Sequence, residues 1–389
     1  MPPLYLLEPP SPAPAWLPFA GVRPISELRA GAWRIRERWE GALESEAAGI
    51  IGDHVLGFHE FDEPPVQAAG PVDGPAIIAA SWFAPSGAAP ELGEDTRRLV
   101  HDGATVAWIV PAGTRWNGPN DDGPAAEIDG LLLHGAWDIV TALEHFLVAD
   151  CTDAVAQHNP KIPDHVMILG DPSDLVTLDA DIEPGVVFDV RHGPIVVEAG
   201  AEVRSGTRIE GPCFIGPGAR VLGGFIRHSV LGPRSVVRGE VSTSVFLGYA
   251  NKAHDGFVGH SVLGHWVNLG AGTTTSNLKN TYGEVRLDLP GGKVDTGRQF
   301  LGTLLGDHAK TAIGTMFSTG SVVGAGANVF GDGVPPKWVA PMSWGSAGKE
   351  RTTEAGFLTV AERVMPRREV EFTAGRRAAL EAMYRRVTA

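Results

Sequence analysis

The chain has almost no cysteine: two in 389 residues, Cys151 and Cys213. Two thiols cannot make a disulfide framework, so the fold must hold by burial, and a reducing compartment suits it. It also lacks a basic excess, with 32 lysines and arginines against 46 aspartates and glutamates, a formal net charge of -14. Nucleic-acid binding, which leans on clustered Lys and Arg, is not expected of such a chain. No apolar run reaches the roughly 18 residues of a membrane span. The opening Met-Pro-Pro carries no basic segment ahead of an apolar stretch, so no signal peptide is expected. Together these absences predict a soluble, cytoplasmic protein with no nucleic-acid or membrane partner.

What the chain has is glycine and proline, 50 and 30 residues, beside a hydrophobic content of 43%. From about residue 190 the apolar residues recur every six positions. Val197, Val203, Ile209, Ile215 and Val221 stand in one run, and Leu231 and Val237 resume the spacing after a shift. Phe257, Leu263 and Leu269 continue it, as do Leu305, Thr311, Phe317, Val323 and Val329. Four residues after most of these comes a small side chain such as Ala201, Cys213, Ala219 or Ser261, with Val241 in the same slot. A helix wants apolar residues three and four apart, and a half-buried strand wants every second. Period six fits neither and is the hexapeptide signature of a parallel β-helix, in which the large residue fills the prism and the small one sits under a corner. An ordinary β-sandwich with chance spacing is the alternative.

Residues 1–135 differ. Short apolar strands at Tyr5-Leu6-Leu7, 75–80 and 105–110 mix with a helix over 34–43 that carries Ile35 and Trp39 on one face. This predicts a small α/β domain. The stretch 110–131, rich in Gly, Pro, Asn and Asp, reads as an exposed loop. Residues 136–165 are expected to link the domains through a helix from Trp137 to Val148, followed by the linker Asn159-Pro160-Lys161-Ile162-Pro163. The β-helix is expected over 166–345, with a protruding loop or hairpin between Asn277 and Leu301. A helical tail follows over 346–389, Thr353 capping its first helix and Leu380, Met383, Tyr384 and Val387 lining its last. The arginines Arg376, Arg377, Arg385 and Arg386 read as a solvated helix face.

Three segments carry a resemblance: Phe246 through Gly256 with Asn268 through Asn280, Pro18 through Gly31 with Ile35 through Glu40, and Asp295-Thr296-Gly297 with Gly306 through Thr315. Over these the chain resembles the bifunctional UDP-N-acetylglucosamine diphosphorylase/glucosamine-1-phosphate N-acetyltransferases, most closely a bacterial branch with a shortened N-terminal domain. The resemblance implies a left-handed β-helix acyltransferase behind a reduced sugar-nucleotidyltransferase-like domain. It also implies a homotrimer with acetyl-CoA bound between neighbouring prisms.

Moving an acetyl group from a thioester to an amine needs a base, donors for the developing oxyanion, and a grip on both partners. The family's general-base histidine stands fourteen residues before one Asn and twenty-three before another. His254, Asn268 and Asn277 keep that spacing, and a histidine's reference pKa of about 6.5 suits the role. The match implies that Asn268 and Asn277 contact sugar and acetyl donor, and that Ala271, between Gly270 and Gly272, offers its backbone to the acetyl oxygen. Lys252 and Lys279 are candidates for substrate phosphate. Where the family commonly has a sugar-contacting Tyr three residues after its His, this chain has Phe257, also an inward hexad position, so the amino sugar stays open. Each of these residues has a plain reading as well: a corner Asn bonding its own turn, a structural His, a solvated Lys.

The first domain lacks the Gly-rich loop that cradles a triphosphate, since Glu8-Pro9-Pro10 follows the first strand, and it lacks the Gly-Asp that binds magnesium. Arg23, Arg29 and Arg36 are candidates for nucleotide phosphates, or equally partners of Glu27, Glu37 and Glu40. UTP and Mg²⁺ enter only if this domain is active. Two rivals stand beside the acetyltransferase reading: a scaffold or ligand sensor with both sites dead, and a zinc enzyme like the gamma-class carbonic anhydrases. The zinc reading would use His260 and His265, five apart, with His228, but the pair sits one step out of phase for it, and no metal is expected.

Overall fold

The structure is a computed structural model and describes residues 2–9, 14–158, 162–346 and 348–389. Residues 159–161 of the expected linker lie outside the described residues. No helix among those described is long and apolar enough to cross a membrane.

The N-terminal domain is built on one mixed sheet. Its strands are β1 (Leu4–Leu7), β2 (Ala47–Ile51), β3 (Val66–Gln67), β4 (Ala76–Ala80), β5 (Arg98–His101), β6 (Ala104–Val110) and β7 (Ala125–Glu127). Across the sheet they run β7-β5-β6-β4-β1-β2-β3, with β1 parallel to both β2 and β4. The unbroken apolar sequence of β4 is buried on both sides, as a central parallel strand should be. α1 (Ile35–Leu43) buries Ile35 and Trp39, one turn apart, and Trp39 Nε1 donates to Ala80 O at 3.0 Å. The expected open loop over 110–131 instead holds three short strands, Arg115–Trp116, β7 and Gly130–Leu132, which extend the domain's pairing.

From Met167 to Trp344 the chain coils as a parallel β-helix with three faces. The first face stacks 187–189, 208–210, 225–227, 240–242 and 257–259, then 274–275 and 316–317. The second stacks 195–197, 213–215, 230–231, 245–246, 262–263, 304–305 and 322–323. The third stacks 202–203, 220–221, 236–237, 251–252, 268, 310–311 and 328–329. Hexad residues such as Val197, Ile215, Leu263 and Val323 fill the interior.

One phase assignment is corrected. Pairing shifts between Val221 and Gly224, where a coil is shortened, and the inward positions of the first face move by one. Ile226, Val241 and Val258 are the residues inside. Phe257 therefore stands outward, and Val241 is core rather than corner.

The faces are covered differently. On the second face Val196, Phe214, Val230, Val245, Val262 and Leu304, each exposed by 3% or less, form one core with the N-terminal domain. Against them lies α2 (Asp138–Gln157), through Ile139, Val140, Leu143, Phe146 and Leu147. It outruns the expected helix because its apolar side continues through Cys151 and Ala154. The excursion after Asn277 does form a hairpin, Arg286–Leu289 with Gly292–Asp295, yet it does not stand free. Val285 and Leu287 are fully buried, and Arg298 donates to Thr141 Oγ1 (2.7 Å) and Glu144 (2.9 Å) of α2.

On the third face lie the tail helices α3 (Glu354–Val364), capped by Thr353, and α4 (Ala374–Thr388). The expected solvated arginine face is half right. Arg376 donates to Glu60 O and Arg386 to Gly21 O and Leu56 O, tying α4 to the first domain, while solvent-facing Arg377 and Arg385 pair with Glu362 and Glu354 of α3. The first face is left open. Met167 and Met316 are each 58% exposed there, with Phe225 and Phe257 half-buried beside them.

Candidate active site on an edge of the prism

His254 sits at the corner where the third face turns into the first, in the exposed step between 251–252 and 257–259. Its corner is held from inside. Lys252 occupies the interior column between Val237 and Leu269, is 2% exposed, and donates to Arg238 O (2.7 Å) and His254 O (2.9 Å). Burial pushes the Lys252 ammonium down to about 8, against the pull of Asp255. The expected role for Lys252 at a substrate phosphate is thus corrected: its ammonium is turned inward onto two carbonyls, and it fixes the turn that carries His254.

The next coil lies in register on this one. Leu269 N donates to Asn251 O (2.8 Å) and Gly272 N to Asp255 O (3.0 Å), which sets Ala271 beside His254. Within the Gly270-Ala271-Gly272 step, Gly270 N–H is taken by Thr311 Oγ1 (3.0 Å) and Gly272 N–H by Asp255. Only the Ala271 N–H has no partner among the described residues. The glycines are needed for the coils to approach. A Cβ at Gly256, whose φ is +131°, would meet Thr273 O at 2.2 Å, and one at Gly270 would meet Ala312 C at 2.5 Å.

The remaining candidates stand elsewhere. Asn268 belongs to the third face, where its Oδ1 accepts from Asn251 Nδ2 at 2.8 Å. Asn277 lies across the first face, at the corner leading to the second, and its Nδ2 donates to His260 Nδ1 at 2.8 Å. Burial, then Arg298, His228 and Arg227, push His260 down to about 4, so the ring is neutral and accepts that bond. Phe300 stacks on the ring at 5.1 Å. The Phe257 ring and the Asn277 amide converge over Gly259, where a Cβ would touch both. Lys279 bonds Glu284 O within its own loop. One chain thus joins His254 with Ala271 on one edge of the open face, and Asn277 with Phe257 toward the other.

The histidines of the zinc reading do not converge. His260 is bound to Asn277, while His265 Nδ1 bonds Glu60 at 2.9 Å on another edge. Among the described residues no group of three His, Cys, Asp or Glu could hold a metal ion.

The N-terminal arginines are internal ties. Arg23, 2% exposed, bonds Asp307 (2.7 Å) and Glu60 (2.8 Å), and so joins the first domain to the prism. Burial alone would raise the Glu60 carboxyl, but His265 and Arg23 hold it well below the carboxylate range. Arg36 bonds Glu27, Glu40 and Asp62, and Arg29 donates to Ala32 O and Leu247 O. Of the two roles expected of these arginines, nucleotide binding gives way to the other for Arg36, which pairs with Glu27 and Glu40, while Arg23 and Arg29 tie the first domain to the prism.

The cleft at the carboxyl ends of β1, β2 and β4, where ligands of open α/β sheets bind, has a volume of about 300 Å³. Glu8, Asp53, Trp82 and Trp116 line it, and no lysine or arginine does among the described residues. Both Glu8 oxygens accept backbone N–H bonds from Ile25 and Ser26, and Asp53 Oδ1 accepts from Ala69 N. These residues do not fit a magnesium–triphosphate complex.

Residues 5–158 match a family model described as sugar nucleotidyl transferase. The chain is also 28% identical over 224 residues to a bifunctional sugar-1-phosphate nucleotidylyltransferase/acetyltransferase of Sulfurisphaera tokodaii, covering 50% of this chain and 55% of that one. The chain spans about half the length of the curated relative it matches. It is, then, a nucleotidyltransferase-like α/β domain followed by a parallel β-helix and tail helices, similar in its first domain to sugar nucleotidyl transferases.

Proposed function

We propose that the protein is an acetyl-CoA-dependent N-acetyltransferase acting on an amino-sugar phosphate of the glucosamine 1-phosphate class. The observation that carries this is the backbone N–H of Ala271, without a hydrogen-bond partner among the described residues, beside an exposed imidazole on the same edge. His254 takes a proton from the amine as its nitrogen attacks the thioester carbonyl. Ala271 N–H donates to the oxygen as it turns negative, a contribution typically near 3 kcal/mol. The C–S bond then breaks, and the proton on His254 is available to the leaving thiolate. Similarity to a named nucleotidylyltransferase/acetyltransferase supports the class of reaction; the amino sugar follows from the resemblance alone.

Asn277 is across the open face from His254, and the two meet if three chains pack with these faces around a common axis. The His254 edge of one chain then lies against the Asn277 edge of the next, a heterologous contact that closes as a ring. We take the working form to be such a homotrimer, with exposed Met167, Met316 and Ile313 supplying apolar contact.

The test is His254→Ala with acetyl-CoA and glucosamine 1-phosphate. The variant should keep its fold and lose acetyl transfer by roughly 10²–10⁴, the range of a general base. An undiminished rate sinks the assignment.

A second reading, sugar-1-phosphate nucleotidyl transfer, is favoured by the family match over residues 5–158. The lining of the first-domain cleft weighs against it, and a UTP incubation read by mass decides: no uridylylated product leaves that domain a docking or ligand-binding unit.

A further inference from the structure

Between the third face and the segment joining α3 to α4 is a cavity of about 380 Å³, whose polar lining is Tyr249, Asn251, Asn268, Lys310, Arg367 and Arg368. Three cations and no carboxylate line it, in a chain of net charge -14. Next to the cavity on this face, Arg220 pairs with Glu202 at 2.9 Å and Arg234 with Glu369 at 2.6 Å. Among the described residues, none of the three cavity cations has one. Arg368 Nε is buried without a hydrogen-bond partner, while its Nη2 donates to Asn251 Oδ1 at 2.9 Å. Lys310 Nζ has only a carbonyl, His308 O, at 3.1 Å. Arg367 is exposed while Lys310 and Arg368 are half-buried; like charges so gathered repel one another, the half-buried pair also loses solvation, and an anion among them relieves both costs.

We propose that this cavity holds the phosphate group of a phosphate ester between Arg367, Arg368 and Lys310. A guanidinium fork suits two phosphate oxygens and an ammonium suits a third. Asn268, whose Oδ1 is committed to Asn251, keeps its amide NH₂ for a further oxygen. The volume exceeds that of phosphate alone, and an adjoining groove that shares Tyr249, Arg367 and Arg368 gives the rest of a ligand a continuation past Arg220 and Arg234. The site stands on this geometry without the acetyl-transfer reading. Taken with that reading, the ester is either the nucleotide end of coenzyme A or the sugar phosphate.

Isothermal titration of the full chain tests it, with inorganic phosphate, adenosine 3′,5′-bisphosphate and glucosamine 1-phosphate as probes. At least one should bind, and exposed Arg367→Ala should weaken it about tenfold, the order of one charge-assisted contact. Arg367→Ala with Arg368→Gln should remove it. Tightest binding of the bisphosphate assigns the site to the donor, and of the sugar phosphate to the acceptor. His254→Ala should bind inorganic phosphate as the wild type does, so loss of catalysis and loss of this site are read separately. No binding of any probe at about 10 mM, or wild-type affinity in both arginine variants, overturns the proposal.

Discussion

At the scale of single residues, Lys252 shows how sequence and structure part. It follows Asn251 in a segment rich in substrate-binding residues of a known family, and its charge suggests phosphate. The coil that places Lys252 over Val237 and under Leu269 settles its direction, and that register was readable from the inward column had the coils been counted at fifteen and seventeen residues instead of eighteen. A buried lysine also leaves a pH signature. Its folded-state pKa, about 8, lies below the unfolded value near 10.4. The unfolded chain thus holds more protons between those values, and stability rises with pH across that window. Comparison with Lys252→Met isolates the effect. The wild type should gain on the order of 3 kcal/mol over the variant between pH 8 and 10.5. Denaturant unfolding at several pH values checks this, and a flat difference would falsify the burial. His254, Asn268 and Asn277 were legible as a spacing. Their partners were not, because Asn277 meets His260 and Asn268 meets Asn251 one coil away, at separations set by coil length.

At the scale of elements, the six-residue period exposed the prism because each coil repeats the same burial problem. It missed the slip at Gly224 because one shortened turn moves the next three first-face positions, Ile226, Val241 and Val258, by one without erasing the pattern. The coverings of the faces were illegible for another reason: outward valines at 196, 230, 245 and 262 alternate with inward ones, and alternation cannot say what lies outside. The corner glycines give the element-level prediction. Gly256→Ala places a methyl 2.2 Å from Thr273 O, at a φ of +131°. The corner must shift, so we expect a loss of roughly 2–4 kcal/mol of stability and a drop in acetyl transfer. Thermal unfolding and turnover are to be measured on the same variant. Unchanged melting would mean that the coils stack less closely than described.

At the scale of the molecule, the open first face sets a test of assembly. If each active edge borrows Asn277 from a neighbour, His254→Ala and Asn277→Ala chains are complementary. Unfolding and refolding them in equal mixture should restore about a quarter of wild-type acetyl transfer, the chance that an intact His254 faces an intact Asn277 in a random ring. Activity no higher than the two parents' average places both residues in one chain's site, or outside it. The domains themselves are joined by Arg23, whose guanidinium meets Glu60 on one side and Asp307 on the other. The expectation of separate segments at 135 and 165 therefore describes chain order better than cohesion.

The wall of aliphatic side chains beneath α2 has a practical corollary. Cut away residues 1–158 and the solenoid would bare Val196, Phe214, Val230, Val245, Val262 and Leu304 as a continuous greasy stripe. Such a fragment should clump rather than dissolve, so the solenoid cannot be lent intact to another protein, and any study of it has to carry the first domain along.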